Sequence, residues 1–260
     1  MNIAVLGAGH HLHSVRRVDG YSSCVHVAEL HDEHGQRLTA HVKAFPSNSK
    51  ALANELTGWS LCRALDIPTP ERAYIILVPI AKLRQIFPEQ QWPGKDADCW
   101  PCWATETLPN IPHRLVSADD ALVWRAHVQT WPHLPPAIAM AHWLQNVDAN
   151  AGNLLHCDND EFAVIDHADI LGGQYWTAES LTRPERLHNK LLDLAYAGMP
   201  DPPATVQIEA SAEHHKQAWN TVMHSVLEWW QDLLKPREAR AAAAFIASRA
   251  VPGWMKGRIA

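Results

Sequence analysis

Two aspartates and an asparagine carry the most informative spacing in this 260-residue sequence. Asp148 and Asn153 lie five positions apart in Gln145-Asn146-Val147-Asp148-Ala149-Asn150-Ala151-Gly152-Asn153-Leu154-Leu155, whose small and polar residues read as a loop. Phe162-Ala163-Val164-Ile165-Asp166-His167 follows and ends its apolar run in the second aspartate. Phosphoryl transfer needs a carboxylate to take a hydroxyl proton and oxygen ligands for a metal, in this order along the chain. Asp148 is then the base, with Asn153 and Asp166 as magnesium ligands. Small, hard Mg²⁺ prefers oxygen and keeps several waters, so one carboxylate, one amide oxygen and ATP phosphates suffice. Either segment alone is an ordinary Asx turn or strand end; the combination points to chemistry.

Lys43 supplies a cation upstream. Arg37 to Phe45 alternates, with Leu38, Ala40, Val42 and Ala44 on one face and His41, Lys43 and Phe45 on the other. Glu55 follows about a dozen residues later on a helix, in Asn54-Glu55-Leu56. Kinases place a strand lysine on the ATP phosphates and pair it with a glutamate of the next helix. These are the roles expected of Lys43 and Glu55.

The elements that must position these residues are readable in outline. Val25–Leu30 and Arg37–Phe45 form a hairpin around Asp32-Glu33-His34-Gly35. Leu52, Leu56, Trp59 and Cys62 recur at helical spacing over 51–65, which ends at Asp66-Ile67-Pro68-Thr69-Pro70. Tyr74–Ile80 is a buried strand, and 87–112 an irregular connection with a short strand at 103–108. Helices are expected at 118–130, 137–145, 184–196, 212–234 and 238–249, with a hairpin at 154–156 and 162–165. Strands first and helices later suit an α+β protein of two lobes, 1–108 and 109–260.

Composition narrows the field. A net charge of −6 argues against a direct nucleic-acid partner. No apolar run reaches membrane-spanning length, and the start lacks a basic leader, so a cytoplasmic protein with reduced thiols is expected. Gly7-Ala8-Gly9 after Ile3–Leu6 mimics a dinucleotide fingerprint, but Leu12 stands at the third glycine position. Cys99-Trp100-Pro101-Cys102 has redox or half-zinc spacing but no second pair and no strand-then-helix context.

Ala40-His41-Val42-Lys43-Ala44-Phe45, Ala53-Asn54-Glu55-Leu56, Leu65-Asp66-Ile67-Pro68-Thr69-Pro70, Asp148 through Asn153 and Ile165-Asp166-His167 together resemble HipA-like kinases, of the phosphatidylinositol kinase-like branch of the kinase fold. The resemblance runs from about Val18 to Asp169. It implies a bilobal kinase-like fold, ATP and Mg²⁺ as cofactors, and the same roles for Lys43, Asp148, Asn153 and Asp166. It also implies a phosphate-covering loop near Asp19-Gly20-Tyr21-Ser22-Ser23, with Ser22 and Ser23 as donors. Adenine would lie against 103–108, which includes Glu106. An antitoxin-like partner is a further implication. Asn150 departs from the pattern, since relatives place a histidine there. The expected activity is transfer of the ATP γ-phosphate to a protein serine or threonine. A lipid or small-molecule kinase and a non-catalytic nucleotide-binding module are the alternatives.

Overall fold

The structure, a computed structural model, describes residues 3–18, 24–109, 118–157, 161–183 and 188–259. The architecture is α+β, and the chain divides into two compact units: 1–52 with 70–108, and 53–69 with 109–260.

The first unit is built on a six-stranded sheet. Its strands are β1 (Ala4–Leu6), β2 (His11–Val18), β3 (Cys24–His31), β4 (Arg37–Ala44), β5 (Ala73–Pro79) and β6 (Cys99–Glu106), with a short helix α2 (Ile80–Ile86) after β5. The spatial order is β1-β5-β6-β4-β3-β2. Only β1 and β5 run parallel; the other neighbours are antiparallel. The expected alternation in β4 is present: Leu38, Ala40, Val42 and Ala44 join one core with Ile76, Val78, Leu83, Phe87 and Trp92. Lys43 therefore points from the opposite face, because side chains alternate along a strand.

Three features of this unit were not anticipated. Strands β1 and β2, joined by a 3₁₀ turn, occupy residues where no strand was assigned; no helix follows Gly7-Ala8-Gly9, as Leu12 at the third glycine position implies. Helix α2 begins at Ile80, expected to close the strand before it, and runs through 81–86, where no element was expected. Strand β6 begins at Cys99 instead of 103, although Pro101 lies within it. Proline is tolerated there because β4 pairing starts only at Cys102, so Pro101 has a ladder partner on one side alone, at Leu77. Cys99 and Cys102, three positions apart on one strand, project to opposite faces, and none of the five cysteines forms a disulfide.

The second unit contains most of α1 (Ala51–Ala64) and the helices α3 (Ala118–Gln129), α4 (Leu134–Trp143), α5 (Lys190–Tyr196), α6 (Pro202–Ala212), α7 (His215–Leu233) and α8 (Pro236–Arg249). A two-stranded hairpin, β7 (Leu154–His156) with β8 (Phe162–Val164), sits among them. The helix expected over 212–234 is α7, and α6 before it was not expected. Asp201 caps α6 by accepting from the Ala204 amide, ahead of prolines at the first helical positions. The helix expected at 184–196 begins at Lys190 in its described part, capped by Asn189; residues 184–187 lie outside the described residues.

Tryptophans tie this unit together through both ends of their amphipathic rings. Trp143 is fully buried and donates from Nε1 to the Ile246 carbonyl at 2.9 Å, while His215 stacks on its ring. Trp230 donates to Thr57 Oγ1 on α1 at 3.1 Å. No helix among the described residues is long and apolar enough to cross a membrane.

Candidate active site

Asp148 and Asn153 lie on a loop whose shape its own asparagines determine. Asn146 Oδ1 accepts from the Asp148 amide, and Asn150 Oδ1 from the Gly152 amide. Asn150 thereby caps the 3₁₀ turn Ala151–Asn153. Asn153 is buried and donates from Nδ2 to the Asp148 carbonyl at 2.6 Å. Because a carbonyl can only accept, this contact orients the amide and leaves Asn153 Oδ1 as the atom to offer a cation.

Asp166 follows β8 in the left-handed region at φ 62°, a conformation aspartate tolerates better than most residues. Two sets of backbone hydrogen bonds hold its segment beside the Asp148 loop. The Ile165 amide donates to the Asn153 carbonyl at 2.9 Å. Beyond Asp166, the amides of Leu171 and Gly172 donate to the carbonyls of Leu144 and Gln145, and Val147 donates to Asp169. Asp148, Asn153 and Asp166 are thus brought onto two adjoining segments of the second unit.

Helix α1 supports that arrangement from one face. Asn54 Nδ2 donates to the carbonyls of Ala168 (2.6 Å) and Ile170 (3.1 Å), and Asn54 Oδ1 accepts from Trp176 Nε1. Glu55, buried, accepts from the His167 amide through Oε2 at 2.9 Å. Gly58 is needed one turn on, since a Cβ there would stand 2.3 Å from the His167 side chain. Cys62 Sγ lies 3.6 Å from His167 Nε2, one turn further. Burial pushes the Cys62 thiol well above its usual range, so Cys62 packs rather than reacts.

Two further residues complete the electrostatics. Asp169 has its carboxyl held above the usual range, first by burial and then by the charges of Asp148 and Asp166. Lys190, at the start of α5, donates from Nζ to Asp148 Oδ1 at 2.7 Å. The charges of Asp148 and Asp166 both reach Asp169, with Lys190 as partial compensation. That excess of negative charge, with an amide oxygen oriented beside it, fits a divalent cation. Among the described residues no three His, Cys, Asp or Glu side chains could hold a metal by themselves. A cation here would therefore draw on Asn153 and on phosphate oxygens as well as Asp166.

The residues expected in the first unit are placed as follows. Lys43 is buried in β4, opposite Val25 on one side and Trp103 on the other. Glu106 engages both carboxylate oxygens locally: Oε1 accepts from the Glu71 and Arg72 amides and Oε2 from Arg72 Nε. Ser22 and Ser23 lie outside the described residues.

Asn54, Gly58, Asp169 and Lys190 were not singled out from sequence. Asn54 carried a signal, as a polar residue inside an apolar helical stripe, and Asp169 stands only three positions after Asp166. Lys190 had none, being 42 residues from its partner.

No family model and no curated protein matches the chain. Among solved structures it is similar to that of the Helicobacter pylori proinflammatory kinase CtkA, with a TM-score of 0.58 over 98% of each chain and 9% sequence identity. The fold is kinase-like. At that identity the likeness concerns the fold alone.

Proposed function

We propose that this chain is an ATP- and magnesium-dependent, HipA-like kinase of two lobes that transfers a γ-phosphate to a protein serine or threonine. The observation that carries the reading is the stitching of the Asp148–Asn153 loop to the Asp166 segment. It brings Asp148, Asn153 and Asp166 onto adjoining segments, which supports reading them as a base and two oxygen ligands in the order phosphoryl transfer uses. A bound magnesium ion supplies neutralisation of phosphate charge. Asn153 and Asp166 hold it, Asp148 receives the hydroxyl proton, and Asp169 adds negative charge that favours a cation. Lys43 contacts nucleotide phosphates, Ser22 and Ser23 cover them, and the strand carrying Glu106 faces adenine. Glu55 contributes by holding the His167 amide, and so the segment after Asp166.

The test is transfer of radiolabel from ATP to protein acceptors, with and without EDTA. Transfer that needs Mg²⁺ or Mn²⁺ and disappears in Asp148→Asn supports the reading. Mg-ATP binding without transfer to any hydroxyl would instead favour a nucleotide-binding module.

A further inference from the structure

We propose that Lys190 is a catalytic residue, which selects Asp148 Oδ2 as the proton acceptor and neutralises charge on the transferring phosphoryl group. This rests on the phosphotransferase reading above. The loop Asn146–Asn153 contains no cationic side chain of its own. Lys190 reaches it from α5, and its place there is built. Asn189 caps α5 through the Leu192 amide and is buried, with its Nδ2 donating to the Ile138 carbonyl at 3.0 Å. The lysine therefore leaves from a fixed point. Its 2.7 Å contact takes Oδ1 of Asp148 and leaves Oδ2 to meet a hydroxyl.

Lys190 also borders an open groove of about 540 Å³, which Asn150, Ala151, Gly152 and Arg125 help to line. An acceptor entering there meets Lys190, whose Nζ lies 2.7 Å from Asp148 Oδ1 at the groove's edge. In the transfer step the O–H proton passes to Oδ2, and the acceptor oxygen forms a bond to the γ-phosphorus. The bond from that phosphorus to the bridging oxygen breaks, and its electron pair leaves on the nucleoside diphosphate. An oxygen within hydrogen-bond reach of Asp148 is close to Nζ, so the ammonium faces the charge that develops. An ion pair with both side chains about 40% exposed (39% and 42%) adds little to folding, which argues against a purely structural role.

The experiment compares Lys190→Met and Lys190→Arg with the unaltered chain, alone and combined with Asp148→Asn, using a serine/threonine peptide library as acceptor. Lys190→Met should lower turnover about 100-fold, as loss of one charge-stabilising donor does, with Mg-ATP affinity within about twofold. Lys190→Arg should recover much of the rate. In the Asp148→Asn background Lys190→Met should cost little further, because the two act as a unit. Turnover of Lys190→Met within about threefold of the unaltered chain overturns the proposal while leaving the kinase reading standing. So does a loss matched by an equal loss of folded protein. An unaltered chain that neither binds Mg-ATP nor transfers phosphate overturns both.

Discussion

The two units hold their charged residues by different means. Lys43 stands in an interior strand, with β3 and β6 hydrogen-bonded to β4 on either side. Its position is set by backbone ladders, which most side chains tolerate. Asp148 and Asp166 stand on loops, and besides a few backbone hydrogen bonds between the two segments, what fixes them is a small set of particular side chains: Asn146, Asn150, Asn153, Asn54 and Glu55. A strand keeps its course when one side chain changes. A loop held by side-chain amides does not, because each lost anchor leaves buried backbone groups without partners.

The largest expected effect lies at the two aspartates. Asp148→Asn should lower turnover by about 100- to 10,000-fold with Mg-ATP affinity nearly intact, the size of a lost general base. Asp166→Asn should weaken Mg-ATP binding and turnover together and raise the magnesium concentration needed for half-maximal rate. Calorimetry and steady-state kinetics on both variants separate the two roles; identical profiles would remove the division of labour.

Anchors come next. Asn54→Ala leaves the Ala168 and Ile170 carbonyls and the Trp176 indole N–H without their partner, at a cost of about 2–4 kcal/mol. Gly58→Ala forces the His167 side chain aside and should cost about 1–3 kcal/mol. Val25→Ala, beside Lys43 in the sheet, should cost about 1–3 kcal/mol of packing but leave Mg-ATP affinity unchanged. Urea unfolding with nucleotide binding on all three tests the contrast, which fails if the sheet variant alone disturbs the site.

Lys43→Ala should weaken Mg-ATP binding about tenfold, or about 1.4 kcal/mol, and lower kcat/KM at least as much. Unchanged affinity would return Lys43 to a packing role.

Acid should act on both units. Burial lowers His11 to about 4 and His26 to about 3 in the sheet unit. It lowers His142 to about 4 and His215 to about 3 in the helical unit. The unfolded chain takes up protons near 6.5 and the folded one only below about 4, so stability is full above 6.5 and falls as pH drops towards 4. Melting temperature followed from pH 7.5 to 4.5 should decline, and less steeply in His26→Leu. A flat profile would show that these histidines find partners when protonated. Smallest of all, Cys99→Ser should change neither melting nor turnover, since this thiol is exposed and unpaired.

Local patterns are carried by side-chain type and spacing, and these the sequence determined by itself. The alternation of β4 placed Lys43 opposite the core, the apolar stripe placed α1, and turn chemistry placed the 146–153 loop and the β7–β8 hairpin. Pattern reading failed where context overrode propensity. Pro101 is admitted to β6 by the end of a neighbouring strand, and α6 opens on two prolines that read as a loop, although Asp201 before them caps a helix.

What only the tertiary structure decided is partnership at long range. Asn54 meets carbonyls more than 110 residues away, and Lys190 meets Asp148 across 42. Hydrogen-bond and ion-pair geometry depends on where folding leaves two atoms, and no periodicity along the chain encodes that separation. The sequence thus named the acids and the loop that carries them. Packing decided which cation stands beside Asp148, and which helix holds the segment after Asp166 in place.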